Sequence, residues 1–153
     1  MTVAVYLDST PLNLLCHPLG VPRADDCRAW LKALLYAGVE VAIPAVVDYE
    51  VRRELTRRGA LTRLASLDDL RDQLTYLDVT AAAFDRAAEL WALVRNAGLP
   101  TADPQALDVD CILAAQATTA EGPGNPATVA TANVGHLARF PGIDARDWFT
   151  IAP

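Results

Sequence analysis

Residues 3–7 read Val-Ala-Val-Tyr-Leu, an unbroken apolar run that Asp8 ends. A continuous run of this kind predicts a strand buried on both faces, as in a parallel sheet. Residues 39–43 are strongly β-branched and predict a second strand. Residues 75–79 predict a third, 128–131 a fourth, and 148–151 a last edge strand. Between these runs the apolar spacing changes to three and four, the period of a helix. A short helix starts after Asp8, with Ser9 or Thr10 as cap and Pro11 in its first turn. Pro18, Gly20 and Pro22 break it. Asp25-Asp26 open a second helix carrying Cys27, Trp30, Leu31, Leu34 and Leu35, which Gly38 ends. Pro44 closes the second strand and starts a helix to about Arg58, with Gly59 as its stop. Residues 61–74 are helical, with apolar positions at 61, 64, 67, 70 and 74. Thr80 caps an amphipathic helix of Phe84, Ala87, Ala88, Leu90, Trp91 and Val94, which Gly98 ends. Residues 99–104 read as a loop and 107–118 as an alanine-rich helix. Residues 121–126, Glu-Gly-Pro-Gly-Asn-Pro, form the clearest loop, with a tip expected to be mobile. A short helix or turn follows over 136–140. Strands alternating with helices predict an α/β fold with a parallel sheet and right-handed crossovers.

Composition narrows the class. A chain of 153 residues, 52% hydrophobic and 21% charged, has the makeup of one compact domain over 1–153 with a real core. No apolar run reaches bilayer length, and the start lacks the basic, apolar and small-residue order of a signal peptide, so a cytoplasmic location is expected. Cys16, Cys27 and Cys111 form no CxxC pair, which argues against a zinc knuckle or a disulfide framework and for reduced thiols. The net charge of −6 argues against broad attraction to nucleic acid. Carboxylates clustered around a cation would soften that objection, because the ion neutralises them. Lys32 is the only lysine, and every other cation is arginine, the better bidentate phosphate ligand. A GC-rich genome explains the arginine share equally well.

The informative acids fall at element boundaries. Asp8 ends the first strand, at the carboxyl edge where open α/β sheets bind ligands. Glu50 lies two turns into the third helix, four and three residues after Val46 and Val47, on or beside the inward stripe. A carboxylate there needs a cation. That is a metal ion, or Arg53 in a purely structural reading, while Glu54 reads as a solvated acid. Asp108 and Asp110 open the helix before Ile112. They point to different sides, so one faces the crevice and the other caps or supports. Asp110 is the chosen ligand and Asp108 the alternative. Asn133 follows the fourth strand. Thr131, just before it, donates to a phosphate or simply packs. Arg52, Arg53, Arg57 and Arg58 form a basic cluster that faces phosphates or an acidic partner, or a solvated basic face near the helix C-terminus. Neither His17 nor His136 is well placed as a base.

Four pieces together resemble a known family. Leu7-Asp8-Ser9-Thr10, Tyr49-Glu50-Val51, Asp110-Cys-Ile-Leu-Ala-Ala115 and Val129-Ala-Thr-Ala-Asn133 through Phe140 match, in order and spacing, the PIN-domain ribonucleases of the VapC toxin kind. The resemblance implies a three-layer α/β/α fold with a mostly parallel central sheet of four or five strands. It implies that Asp8, Glu50 and Asp110 hold Mg²⁺ or Mn²⁺, with Asn133 as a fourth catalytic position and Thr10 beside the first acid. A neutral amide at 133 leaves one fewer negative charge for a second metal. The implied activity is metal-dependent hydrolysis of RNA phosphodiester bonds. An antitoxin protein and a homodimer are the implied partners, with residues 28–74 as the dimer surface. The alternative is a catalytically inactive PIN-fold module that binds RNA or protein, which the amide and the acidic total charge favour. A flavodoxin-like small-molecule domain is disfavoured, because no glycine-rich loop follows the first strand.

Overall fold

Val5, Tyr6 and Leu7 have almost no solvent contact, and they form the middle of the sheet. A computed structural model describes residues 4–98 and 104–153. Along the chain run β1 (Ala4–Leu7), α1 (Ser9–Leu15), α2 (Pro22–Tyr36), β2 (Glu40–Pro44), α3 (Ala45–Arg57) and α4 (Leu61–Gln73). Then follow β3 (Thr75–Leu77), α5 (Ala81–Asn96), α6 (Pro104–Glu121), β4 (Ala127–Thr131), α7 (Val134–Leu137) and β5 (Ile143–Asp147), with a 3-10 turn over Trp148–Thr150. The expected four or five strands are five, all parallel, in the order β3-β2-β1-β4-β5. The crossovers step away from β1 in one direction and then back past it in the other. Right-handed connections running in opposite directions put their helices on opposite faces, giving three α/β/α layers. Among the described residues no helix is long and apolar enough to cross a membrane.

The strand order reverses between β1 and β4, and such a reversal opens a crevice outside the carboxyl ends. Leu7 pairs with Ala130, and the Asp8 N–H donates to the Ala130 carbonyl at 2.9 Å. Asp8 and Thr131 therefore leave the sheet side by side. The core beneath is continuous: Leu7, Leu12, Leu34, Ile43, Leu55, Leu90, Leu113 and Phe140 are fully buried. Each such side chain stabilises the fold by about 1.5–3 kcal/mol. Ala114, Ala115 and Ala117 let α6 lie close against β2, β4 and β5. The buried Gln116 accepts the Val46 N–H at 3.2 Å and donates to the Leu77 carbonyl at 2.8 Å. It thereby serves the first turn of α3, which has no side-chain cap of its own.

Four sequence expectations need correction. The cap of α1 is neither Ser9 nor Thr10 but Asp8, whose Oδ1 accepts the Ser9 N–H at 2.7 Å. Helix α2 begins at Pro22, since proline suits a first helical position, so Asp25 lies inside the first turn. Helix α6 likewise begins at Pro104, so Asp108 and Asp110 lie inside it and neither is a cap. The last strand is Ile143–Asp147, not 148–151. Its alternation of Ile, Ala and charged residues suits an edge strand, whose exposed Asp144–Arg146 pair guards the open ladder. Trp148 instead packs edge-on against Trp30 of α2 at 5.6 Å, and the Trp30 indole donates to the Ile151 carbonyl at 3.0 Å. Residue 3 and the loop expected over 99–104, as far as residue 103, lie outside the described residues.

Candidate active site

Asp8 is only 7% exposed, yet two donors hold it. The Ser9 N–H serves Oδ1, and the Thr131 hydroxyl donates to Oδ2 at 2.7 Å. Thr131 in turn accepts the Asn133 N–H at 2.8 Å. Burial pushes the Asp8 carboxyl above its usual range, and the Thr131 and Ser9 hydrogen bonds pull it back. The Thr131 hydroxyl is thus committed to positioning Asp8 and does not face a phosphate.

Helix α3 starts at the carboxyl end of β2, next to β1, and it packs on both α1 and α6. That brings Glu50 to the same rim, half-buried. Burial raises its proton affinity first and the charge of Asp8 second, while Arg53 and a hydrogen bond from the Ser9 side chain oppose the shift. Arg53 itself stacks over the Tyr49 ring at 5.3 Å. Asp110, on α6, is pushed up to about 7 by burial, then by Asp8, against the pull of Arg139, with Glu50 adding to the rise. The Arg139 Nη2 lies 3.8 Å from Asp110 Oδ2, with the guanidinium over the Phe140 ring at 5.2 Å.

These three carboxylates therefore feel one another across a single rim. Among the described residues, however, no three His, Cys, Asp or Glu groups stand close enough to hold an ion as they are oriented. The elements converge, and the oxygens do not reach ligand distance. Like charges gathered at one rim repel: a pair 4 Å apart costs about 4 kcal/mol at an effective dielectric of 20. The donor set is hard carboxylate oxygen, which fits Mg²⁺ or Mn²⁺ and not a soft metal.

The other expected residues divide. Asn133, the residue before α7, is on the rim and exposed, and its side chain makes no cap hydrogen bond. Thr10 lies beside Ser9 and Glu50 in a cleft between α1 and α3. Asp108 is exposed in an apolar groove with Phe84, Trp91 and Ile112, away from the carboxylates. Arg52 is tied to Asp48, at 3.1 and 3.3 Å, and to Asp68 at 2.8 Å, so it clamps α3 to α4. Arg57 and Arg58 remain at the surface and share Glu54. Sequence reasoning missed Arg139, Ser9 and the buried Asp48. The Asp48–Arg52 spacing of four residues was the available signal for the last. Cys16, Cys27 and Cys111 are buried and unbridged.

The sequence profile of one family, described as the PIN domain, matches residues 5–133. Comparison with curated protein sequences finds no match. Solved structures with a similar fold include VapBC2 from Rickettsia felis bound to a promoter DNA fragment, at TM-score 0.75 and 19% identity, covering 95% of this chain and 99% of that one. DNA-bound VapBC from Salmonella typhimurium follows at TM-score 0.67 and 19% identity, covering 96% and 99%. VapC20 from Mycobacterium tuberculosis, a toxin that cleaves the sarcin-ricin loop, is similar at TM-score 0.60 and 19% identity, covering 89% and 95%. At these identities the likeness is one of fold.

Proposed function

The chain belongs to the PIN domain family, and from that premise we propose that it is a metal-dependent endoribonuclease, the toxin of a type II toxin–antitoxin pair acting in the cytoplasm. The observation that carries this reading is the electrostatic coupling of Asp8, Glu50 and Asp110 across one rim at the topological reversal of the sheet. One buried and two half-buried carboxylates that repel one another would be stabilised by a cation. Asp8, Glu50 and Asp110 would hold Mg²⁺ or Mn²⁺, with Asn133 supplying a neutral oxygen at the edge. When bound, such an ion polarises the scissile phosphate and activates water. Thr131 and the Ser9 N–H aim Asp8 and offset part of the upward pull that burial exerts on its carboxyl. Arg139, just after α7, faces Asp110 on α6 and offsets its charge until the site fills.

An antitoxin is the proposed partner, covering the exposed apolar groove of Tyr49, Phe84 and Ile112 between α3, α5 and α6. A homodimer is proposed as well. Leu35, Tyr36 and Leu61 stand exposed within residues 28–74, where its surface was expected.

The test is RNA cleavage with Mg²⁺ or Mn²⁺, with chelator, and with Asp8→Asn. Cleavage should vanish in the last two. Activity that survives both rejects the mechanism. The exposed amide at 133 and the net charge of −6 support a second reading, an inactive RNA- or protein-binding module. Calorimetry separates the two, since the nuclease must take up Mg²⁺ and the module need not.

A further inference from the structure

A cleft of about 260 Å³ opens between α1, α3 and α4, lined among others by Ser9, Thr10, Asn13, Glu50, Arg58 and Arg63. Ser9 and Glu50 belong to the carboxylate rim too, so the cleft is its direct continuation. Arg63, in the first turn of α4, reaches back across it. Its Nη2 donates to Asn13 Oδ1 at 2.8 Å and lies 3.1 Å from His17 Nε2. Burial, then the charges of Arg63 and Arg28, lower the His17 proton affinity and so favour its neutral form beside Arg63, and the Asn13 amide carries no charge. Among the described residues the other partly buried arginines, Arg28, Arg52, Arg71, Arg86 and Arg139, each have a carboxylate partner, and Arg63 has none. Its Nε is buried with no hydrogen-bond partner among the described residues. A guanidinium held by neutral groups keeps its full charge for an incoming anion, and its planar fork matches phosphate.

We propose that Arg63, steadied by Asn13, binds the backbone phosphate of the nucleotide next to the scissile one, so that this cleft is a substrate subsite. The proposal rests on the nuclease reading. An RNA strand with one phosphate at the carboxylate rim continues naturally into the adjoining cleft. The cleft is smaller than a usual small-molecule pocket, which suits one unit of a running chain. An acidic peptide would meet Glu50 and Glu54 in the same space with no cation-bridged phosphate to anchor it.

The experiment measures anisotropy of a short fluorescein-labelled single-stranded RNA of mixed sequence at rising salt, in the Asp8→Asn background to prevent turnover. Arg63→Gln should weaken binding roughly tenfold. It should also lower the slope of log affinity against log salt by about 0.7, the loss of one phosphate contact on a single strand. Arg63→Lys should keep the slope, because the charge remains. A mere tie between α1 and α4 would leave the slope unchanged in both. Arg146→Gln, on the far edge of the sheet, is the control and should bind as its parent does. If Arg63→Gln fails to fold by thermal melting, Arg63→Lys and Asn13→Ala decide. Both should retain the slope, with Asn13→Ala binding more weakly, and a parent-like affinity in both overturns the subsite. Unchanged affinity and slope in folded Arg63→Gln overturn the subsite and leave the nuclease reading standing. A parent that binds no RNA overturns the nuclease reading and the subsite with it. A labelled oligoglutamate peptide bound through Arg63, with RNA binding independent of it, reassigns the cleft to an acidic polypeptide and overturns the proposal.

Discussion

Thr131 on β4 donates its hydroxyl to Asp8 Oδ2 at 2.7 Å, across 123 residues of sequence. The same hydroxyl accepts the Asn133 N–H. A fully buried threonine thus links the acid at the end of β1 to the first turn after β4, and both belong to the rim of the candidate site.

Replacing Thr131 with valine keeps the shape and removes both bonds. Asp8 would lose a donor in a buried setting, and the Asn133 N–H would lose its acceptor. The expected cost is about 1–3 kcal/mol of stability. Asp8 should also bind its proton more tightly, so cleavage should need more Mg²⁺ at a given pH. Thr131→Ser should recover most of both. Thermal melts and Mg²⁺ titrations of cleavage read this out, and a valine variant with parental Mg²⁺ dependence contradicts it.

Asp110 predicts a pH dependence with a definite sign. Its folded value stands at about 7 against 3.8 for an ordinary aspartate. The folded chain therefore holds this proton more tightly than the unfolded chain. The stabilisation is fully present below about pH 4 and is lost as pH rises through about 7. Metal-free protein should weaken over that window. Asp110→Asn should flatten the decline and be roughly 1–3 kcal/mol more stable than the parent at pH 8. Melting in chelator at several pH values tests it. Parallel profiles for parent and variant would count against a buried, raised Asp110.

Arg52 should matter for stability and not for catalysis. It pairs with Asp48, which is 4% exposed, and with Asp68 on α4. Among the described residues, Arg52→Ala leaves Asp48 with Arg71, at 3.5 Å, as its cation. The expected loss is about 2–4 kcal/mol, the range for breaking a buried pair, less what Arg71 retains. Cleavage per folded molecule should stay near the parent value. A stable variant with weakened RNA binding would return Arg52 to the substrate surface.

The rim acids and the amide should separate in kinetics. Asp8→Asn and Glu50→Gln should each reduce cleavage more than a hundredfold, since each removes a charge from the cation site. Asn133→Ala, at an exposed position without a charge, should cost roughly tenfold or less. Single-turnover cleavage at saturating Mg²⁺ measures all three. Equal losses at 133 and at 8 would make the amide a full member of the site.

Much of this molecule was legible in its sequence because the relevant physics is local. The apolar run ending in Asp8 read as a strand with an acid at its mouth, and Ala4–Leu7 form it. Gly38, Gly59 and Gly98 stop helices where the backbone turns to positive φ, and the sequence marks each stop. Thr80 caps α5 through the Ala83 N–H as its position suggested. The placement of Glu50 beside Val46 and Val47 follows from helical period alone. The misplaced last strand shows the limit: Ile143–Asp147 is too charged to look like a strand, and the aromatic 148–151 looks more like one than it is. Edge strands have weak patterns, and the large apolar Trp148 found a better surface on α2.

Sequence alone determined the alternation of strands and helices, the parallel sheet and the acids that end its elements, because periodicity and capping act within a few residues. Only the tertiary structure decided which strands are neighbours, that Thr131 serves Asp8, that Arg139 meets Asp110, and that Arg63 is left facing neutral partners. Those outcomes depend on side chains far apart in sequence meeting in one low-dielectric place. There burial and the nearest opposite charge, which no local pattern encodes, set what each group can do.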